Sequence, residues 1–219
     1  MPGGISNALS TGVIRLPALA LLIFLVLSPG RLFGGDSDRH VVVSVADQKI
    51  AIVENGYTLA RFPVSTSRYG VGDRFNSYAT PLGYMEIAGK IGDGAPLGAV
   101  FKNRHMTGEI LEPNATGRDP IVTRIIWLRG LEACNENAFS RNIYIHGTPV
   151  EHLIGRPASY GCVRMRSKDI VQLFDMLPVG ARVEISQDHL HQAISELAAS
   201  MRIPVTVAGA DRLASLNRL

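Results

Sequence analysis

Hydrophobic positions along this chain fall into short runs broken by turn residues, and few of them keep a helical period. Val41–Val45 alternates loosely, Asp47 and Gln48 make a turn, and Lys49–Val53 runs on. Asn55 followed by Gly56 is a strong two-residue hairpin signal, returning the chain as Tyr57–Val64. A polar, glycine-rich stretch from Ser65 to Ala79 comes next, ending in Thr80, Pro81, Leu82 and Gly83. Tyr84–Ile87 and Ala99–Phe101 read as short strands, and Ile121–Leu128 as a longer one. The Gly/Pro/Asn-rich segment from Thr107 to Asp119 reads as loop. Short strands at this spacing predict a mainly β domain, sandwich-like or barrel-like, with a few short helices.

Two helices have start and stop signals. Thr148, Pro149 and Glu151 combine an N-cap, a first-turn proline and an acid, with Gly155 as the stop. Ser167 caps a second helix, Lys168 to Leu177, whose apolar face is Ile170, Val171, Leu173, Phe174 and Leu177. Pro178 and Gly180 end it, and Ala181–Ile185 is a further strand. Beyond it, Leu190, Ile194, Leu197 and Met201 recur at helical spacing. Ile203–Val207 and a polar end follow, so residues 187–219 read as an appended helix and tail of a domain that occupies 40–186.

The N-terminal 35 residues are of another kind. Leu16 to Leu27 is apolar throughout and follows Arg15. Twelve residues of helix span about 18 Å, short of the roughly 30 Å a bilayer core requires. That length fits the hydrophobic region of a secretory signal, or an N-terminal anchor if it is not cleaved, and implies export. In an oxidising compartment Cys134 and Cys162 either pair or remain separate thiols; the sequence leaves both open.

A net charge of +3 is too small to point to nucleic acid. His40, His105, His152, His189 and His191 lack the spacing of a zinc site, and no phosphate loop is present.

The chemistry concentrates between Ile145 and Met165. His146 ends a strand-like run, and Cys162 follows Ser159, Tyr160 and Gly161 sixteen residues later. A thiol attacks as thiolate, and a nearby imidazole is a common means of making one at neutral pH. Gly161 permits a tight turn that exposes the sulfur and aims backbone N–H groups at one point, as acyl transfer requires. Glu151 is the acid nearest His146 in sequence; a backbone carbonyl is the other way to orient its ring.

His146-Gly147-Thr148, then Ser159-x-Gly161-Cys162-x-Arg164-Met165, resembles the active-site signature of L,D-transpeptidases with a YkuD-type catalytic domain. The likeness runs over roughly residues 40–186 and takes in Pro63–Thr66, Thr80-Pro81-x-Gly83 and Gly180-x-x-Val183. It implies a mainly β catalytic domain, exported to the periplasm or cell envelope, acting on peptidoglycan stem peptides without cofactor or metal. Cys162 would attack the carbonyl of the third stem residue and release the terminal D-Ala as a thioester forms. An amine of another stem or of a wall-attached protein would resolve it. The resemblance casts His146 as base and the N–H groups of Gly161 and Cys162 as oxyanion donors. Tyr160, Ser159, Gly147 and Arg164 would complete the oxyanion and substrate-binding set.

The signature departs from the family pattern at Tyr160, where a His is usual. A phenol can donate a hydrogen bond but is a poor base near pH 7. Arg164 either clamps a stem carboxylate or braces the loop through an internal ion pair. Two rivals stay open: the same acyl-enzyme resolved by water, giving an L,D-carboxypeptidase or hydrolase, and a catalytically silent wall-binding module.

Overall fold

The computed structural model describes residues 39–201. The expected leader at 1–35 and the expected tail at 202–219 lie outside them. Ten strands make one sheet: β1 (Arg39–Ser44), β2 (Lys49–Glu54), β3 (Tyr57–Pro63), β4 (Gly83–Ile91), β5 (Ala99–Lys102), β6 (His105–Ile110), β7 (Ile121–Gly130), β8 (Tyr144–Gly147), β9 (Val163–Met165) and β10 (Arg182–Ser186). Two helices, α1 (Ser167–Met176) and α2 (Leu190–Met201), accompany them.

The hairpin expected at Asn55 and Gly56 forms, with both residues at positive φ (52° and 80°). The main path runs β3-β2-β1-β10-β4-β7-β5-β6, while β8 and β9 branch from β7. From there the sheet closes: Ser65, just past β3, exchanges two backbone hydrogen bonds with Arg164 of β9, each 2.9 Å. The ring β7-β4-β10-β1-β2-β3-β9-β8 is the barrel-like body that the strand spacing predicts.

Closure explains the period-2 pattern. Val41, Val43, Ile50 and Ile52 face the main core with Met85, Ile87, Ile126, Leu128, Ile145, Val163 and Met165. The apolar face of α1 (Ile170, Leu173, Phe174 and, just beyond it, Leu177) completes that core. Val42, Ala51 and Val53 point the other way and are covered by Leu190, Ala193 and Leu197 of α2. Helix α2 is thus packed on the outer face of the sheet.

Three local expectations are corrected. Residues 105–110, read as mostly loop, form β6, every residue exposed. The turn that makes it is Asn103 and Arg104, both at positive φ (51° and 67°); its Asn signal lacks the usual Gly. Thr148 does not cap an α-helix: its hydroxyl donates to Asp119 (2.5 Å) and accepts the Val150 N–H (3.1 Å), but only a 3-10 turn, Glu151–Leu153, follows. Ser167 is the first residue of α1 rather than its cap: its hydroxyl accepts from Thr123 (2.8 Å), and its N–H is met by the Glu151 carboxylate (2.8 Å).

Candidate active site

Parallel pairing of β8 and β9 aligns Ile145 with Val163, His146 with Arg164 and Gly147 with Met165. Side chains alternate along a strand, so His146, Arg164 and Tyr144 share one face, and Cys162, two residues before Arg164, continues that face. Cys162 is half-buried and packs against the apolar cluster that includes Phe101, Ile125 and Tyr144. Cys134 is exposed, and both cysteines are free thiols, which removes the cystine alternative.

His146 is buried, and its Nδ1 lies 2.7 Å from the Gly147 carbonyl oxygen. A carbonyl only accepts, so Nδ1 carries the proton and Nε2 is left with a lone pair. A backbone carbonyl, not Glu151, orients the ring. Gly147 itself is buried. A Cβ there would stand 2.5 Å from the Val122 carbonyl oxygen and 3.1 Å from the Thr123 Cβ, so β8 can approach β7 only with glycine at this position.

The thiol lies in a second network. Its sulfur accepts the Tyr144 N–H at 3.4 Å and donates to the Asn142 carbonyl at 3.5 Å. Burial pushes the thiol up to about 11 against the partial relief of the Tyr144 N–H and of Arg141 and Arg164. Burial likewise pulls His146 down to about 4, opposed by the Gly147 bond and Asp119. Burial thus favours the neutral form of each group, a thiol and an imidazole rather than the thiolate the sequence suggests. The physical reason is desolvation, which disfavours either charged form.

The turn before Cys162 is held from inside. Ser159 Oγ donates to the Cys162 carbonyl (2.6 Å) and accepts the Gly161 N–H (3.2 Å). Gly161 stands at φ +117°, where a side chain is strained, and a Cβ there would meet the Ala79 carbonyl oxygen at 3.3 Å and Ile143 Cδ1 at 3.4 Å. Thr80 Oγ1 donates to the Gly161 carbonyl and accepts the Ser67 N–H, both 3.0 Å, while the Thr66 carbonyl accepts from Ala158 and Ser159 (2.9 Å each). Ser159 and Thr80 therefore brace the turn and are buried rather than facing a substrate. The turn's bonds engage the Gly161 N–H but not that of Cys162.

Arg164 is 3 % exposed; its guanidinium pairs with the Asp119 carboxylate and donates to Ser65 Oγ (3.2 Å). Of its two sequence readings, the geometry is that of the internal brace. Tyr160 is 57 % exposed, its ring 5.5 Å from that of Tyr69 and 5.9 Å from that of Tyr78, with the Arg68 guanidinium 5.1 Å above it. It faces outward, away from the turn's hydrogen bonds.

Sequence reasoning missed Asp119, Asn142, Tyr144 and the Arg141–Asp73 pair. Asp119 ends a loop that carried no motif. Arg141 donates to Asp73 (2.8 Å), to the Gly72 carbonyl (3.1 Å) and to the Ala79 carbonyl (2.8 Å), fastening the 70–79 loop beside the site. These partners are 62 to 69 residues away in the chain, so no local pattern signals them.

A family model described as the L,D-transpeptidase catalytic domain, YkuD, matches residues 38–185. YqjB of Bacillus subtilis (strain 168), which carries an L,D-transpeptidase name, is 25% identical over 170 residues, 76% of this chain and 84% of its own length. ErfK/SrfK of Salmonella typhimurium, similarly named, is 54% identical over 41 residues, 19% of this chain and 13% of that protein. A solved L,D-transpeptidase structure from Xylanimonas cellulosilytica matches with a TM-score of 0.45 and 19% identity, over 68% of this chain and 61% of the other. The chain thus spans under two thirds of that structure and a small part of ErfK/SrfK.

Proposed function

This chain belongs to the L,D-transpeptidase catalytic-domain family, and on that premise we propose that it is an exported peptidoglycan L,D-transpeptidase working by cysteine acyl transfer. The observation that carries the reading is the shared face of β8 and β9. On it stand Cys162, which we assign as nucleophile, and His146, which we assign as base and whose Nδ1 is already committed to the Gly147 carbonyl. Their two-residue stagger is roughly 7 Å along strands about 5 Å apart, so the proposed proton transfer requires Sγ to turn from the Tyr144 N–H and the Asn142 carbonyl toward Nε2.

In this mechanism Nε2 of His146 takes the thiol proton as Sγ attacks the carbonyl of the third stem residue. Because the resting groups are neutral, proton transfer accompanies attack rather than preceding it. The C–N bond to D-Ala breaks, and the proton on Nε2 passes to the departing amine. A thioester remains at Cys162. An acceptor amine then attacks that carbonyl and gives its proton to Nε2; the C–S bond breaks and the thiol is regenerated. The Cys162 N–H, outside the turn's own bonds, is the amide we assign to the oxyanion. Ser159, Thr80 and Arg164 position the turn, and Tyr160 meets substrate beyond it.

The test incubates the full chain with disaccharide tetrapeptide and follows products by mass spectrometry. Release of D-Ala with a cross-linked dimer supports transfer, and tripeptide alone supports the hydrolytic rival. Unchanged substrate with retained sacculus binding supports the silent module. Cys162→Ala and His146→Ala should each abolish turnover while the fold persists; turnover in the first variant refutes the mechanism.

A further inference from the structure

Tyr69, Tyr78 and Tyr160 come from two separated segments yet meet in one exposed cluster, with ring centroids 5.5 to 5.9 Å apart. Their relative exposures are 52, 53 and 57 %, so each ring leaves about half its surface in water. The rings are tilted or edge-on to one another, and a face or edge of each stays open. A contiguous exposed apolar patch beside a reactive centre marks a binding surface more often than chance.

The cluster is also held still. Ser67 Oγ donates to the Tyr78 carbonyl (2.5 Å) and accepts the Tyr69 N–H (2.9 Å). Arg68 donates to the Ala158 carbonyl (3.0 and 3.3 Å) and covers one side of Tyr160. The Arg141–Asp73 pair fastens the rest of the loop. A rigid surface binds without first losing side-chain and loop entropy.

We propose that Tyr69, Tyr78 and Tyr160 form a platform that stacks a pyranose ring of the glycan strand from which the stem peptide hangs. This deepens the assignment of peptidoglycan as substrate and rests on it. Reach supports it: the attacked carbonyl belongs to the third stem residue, and three extended residues span about 10 Å. Tyr160 lies two residues before Cys162, so its Cα is within about 7.6 Å of the nucleophile's, and its ring reaches farther still. Chemistry supports it too. A pyranose offers a face of C–H bonds rimmed by hydroxyls, and a tyrosine offers an apolar ring with a polar tip. An aliphatic protein partner would find no aliphatic side chain among the three rings.

The experiment uses full-length Cys162→Ala protein, which cannot turn over, titrated with stem-free glycan oligosaccharide and separately with free stem tetrapeptide. Amide chemical shifts are the readout. The glycan should bind saturably; Tyr69→Ala and Tyr78→Ala should each weaken it roughly three- to tenfold, while Tyr69→Phe and Tyr78→Phe retain it. Absence of saturable glycan binding, or equal affinity in the alanine variants, overturns the platform. So does a loss confined to the free tetrapeptide, which would give the rings to the peptide. Glycan binding is scored apart from D-Ala release by the unmodified protein, so failure of the transpeptidase reading and failure of the platform are separate results.

Discussion

Asp119 meets the guanidinium of Arg164 with one carboxylate oxygen and the hydroxyl of Thr148 with the other. The loop before β7 is thereby tied to Arg164, the cross-strand partner of His146, and to Thr148, the residue after Gly147. Asp119→Ala leaves an almost fully buried guanidinium without a counter-charge. A loss of about 3 kcal/mol is expected by urea or thermal unfolding, at the lower end of the usual range because Asp119 is 31% exposed. Arg164→Lys should not substitute, since one ammonium cannot reach both Asp119 and Ser65. Full stability in Asp119→Ala would show the pair to be idle.

His146 titrates at about 4 in the fold against 6.5 for a free imidazole. Between those values the unfolded chain binds a proton that the folded chain does not, so stability rises with pH there. The contribution is complete above pH 6.5 and falls by about 3 kcal/mol as pH drops to 4. His146→Gln should flatten that part of the stability profile. An unchanged slope would assign the acid sensitivity to other groups.

A thiol pushed up to about 11 is almost wholly protonated at neutral pH. Alkylation of Cys162 by iodoacetamide should therefore accelerate about tenfold per pH unit from pH 6 to 9. A rate independent of pH below 7 would reveal a thiolate–imidazolium pair and contradict the neutral resting state. Cys134→Ser protein keeps the exposed Cys134 thiol out of the measurement.

Tyr160 contributes a ring to the tyrosine cluster and stands apart from the bonds that hold the Gly161 turn. Tyr160→Phe should keep turnover within about twofold, whereas Tyr160→Ala should raise KM several-fold with less effect on kcat. A collapse of kcat in the Phe variant would return the phenol hydroxyl to the reaction centre.

Gly161→Ala places a side chain at φ +117° against the Ala79 carbonyl. A destabilisation of about 1–3 kcal/mol is expected, together with loss of turnover as the Cys162 amide shifts. Wild-type kinetics in this variant would mean that the turn tolerates another backbone path.

The sequence by itself determined what local chemistry and periodicity can carry. It set the alternating strands of the barrel, the Asn55–Gly56 hairpin, the apolar stripes of α1 and α2, and the Cys162, Gly161 and His146 signature. Each depends on residues a few positions apart, where pleat, helix pitch or a glycine's φ acts directly. The exposed β6 escaped because Met106 and Ile110, which share one of its faces, have only Gly108 between them and bury nothing. Tertiary structure alone decided the protonation of the site, since desolvation depends on what packs around a group rather than on its neighbours in the chain. It also decided that Arg164 pairs with Asp119 and Arg141 with Asp73, and that three distant tyrosines share one surface. Those contacts arise when β9 docks between β8 and Ser65 and the sheet closes, and closure is a property of the whole chain.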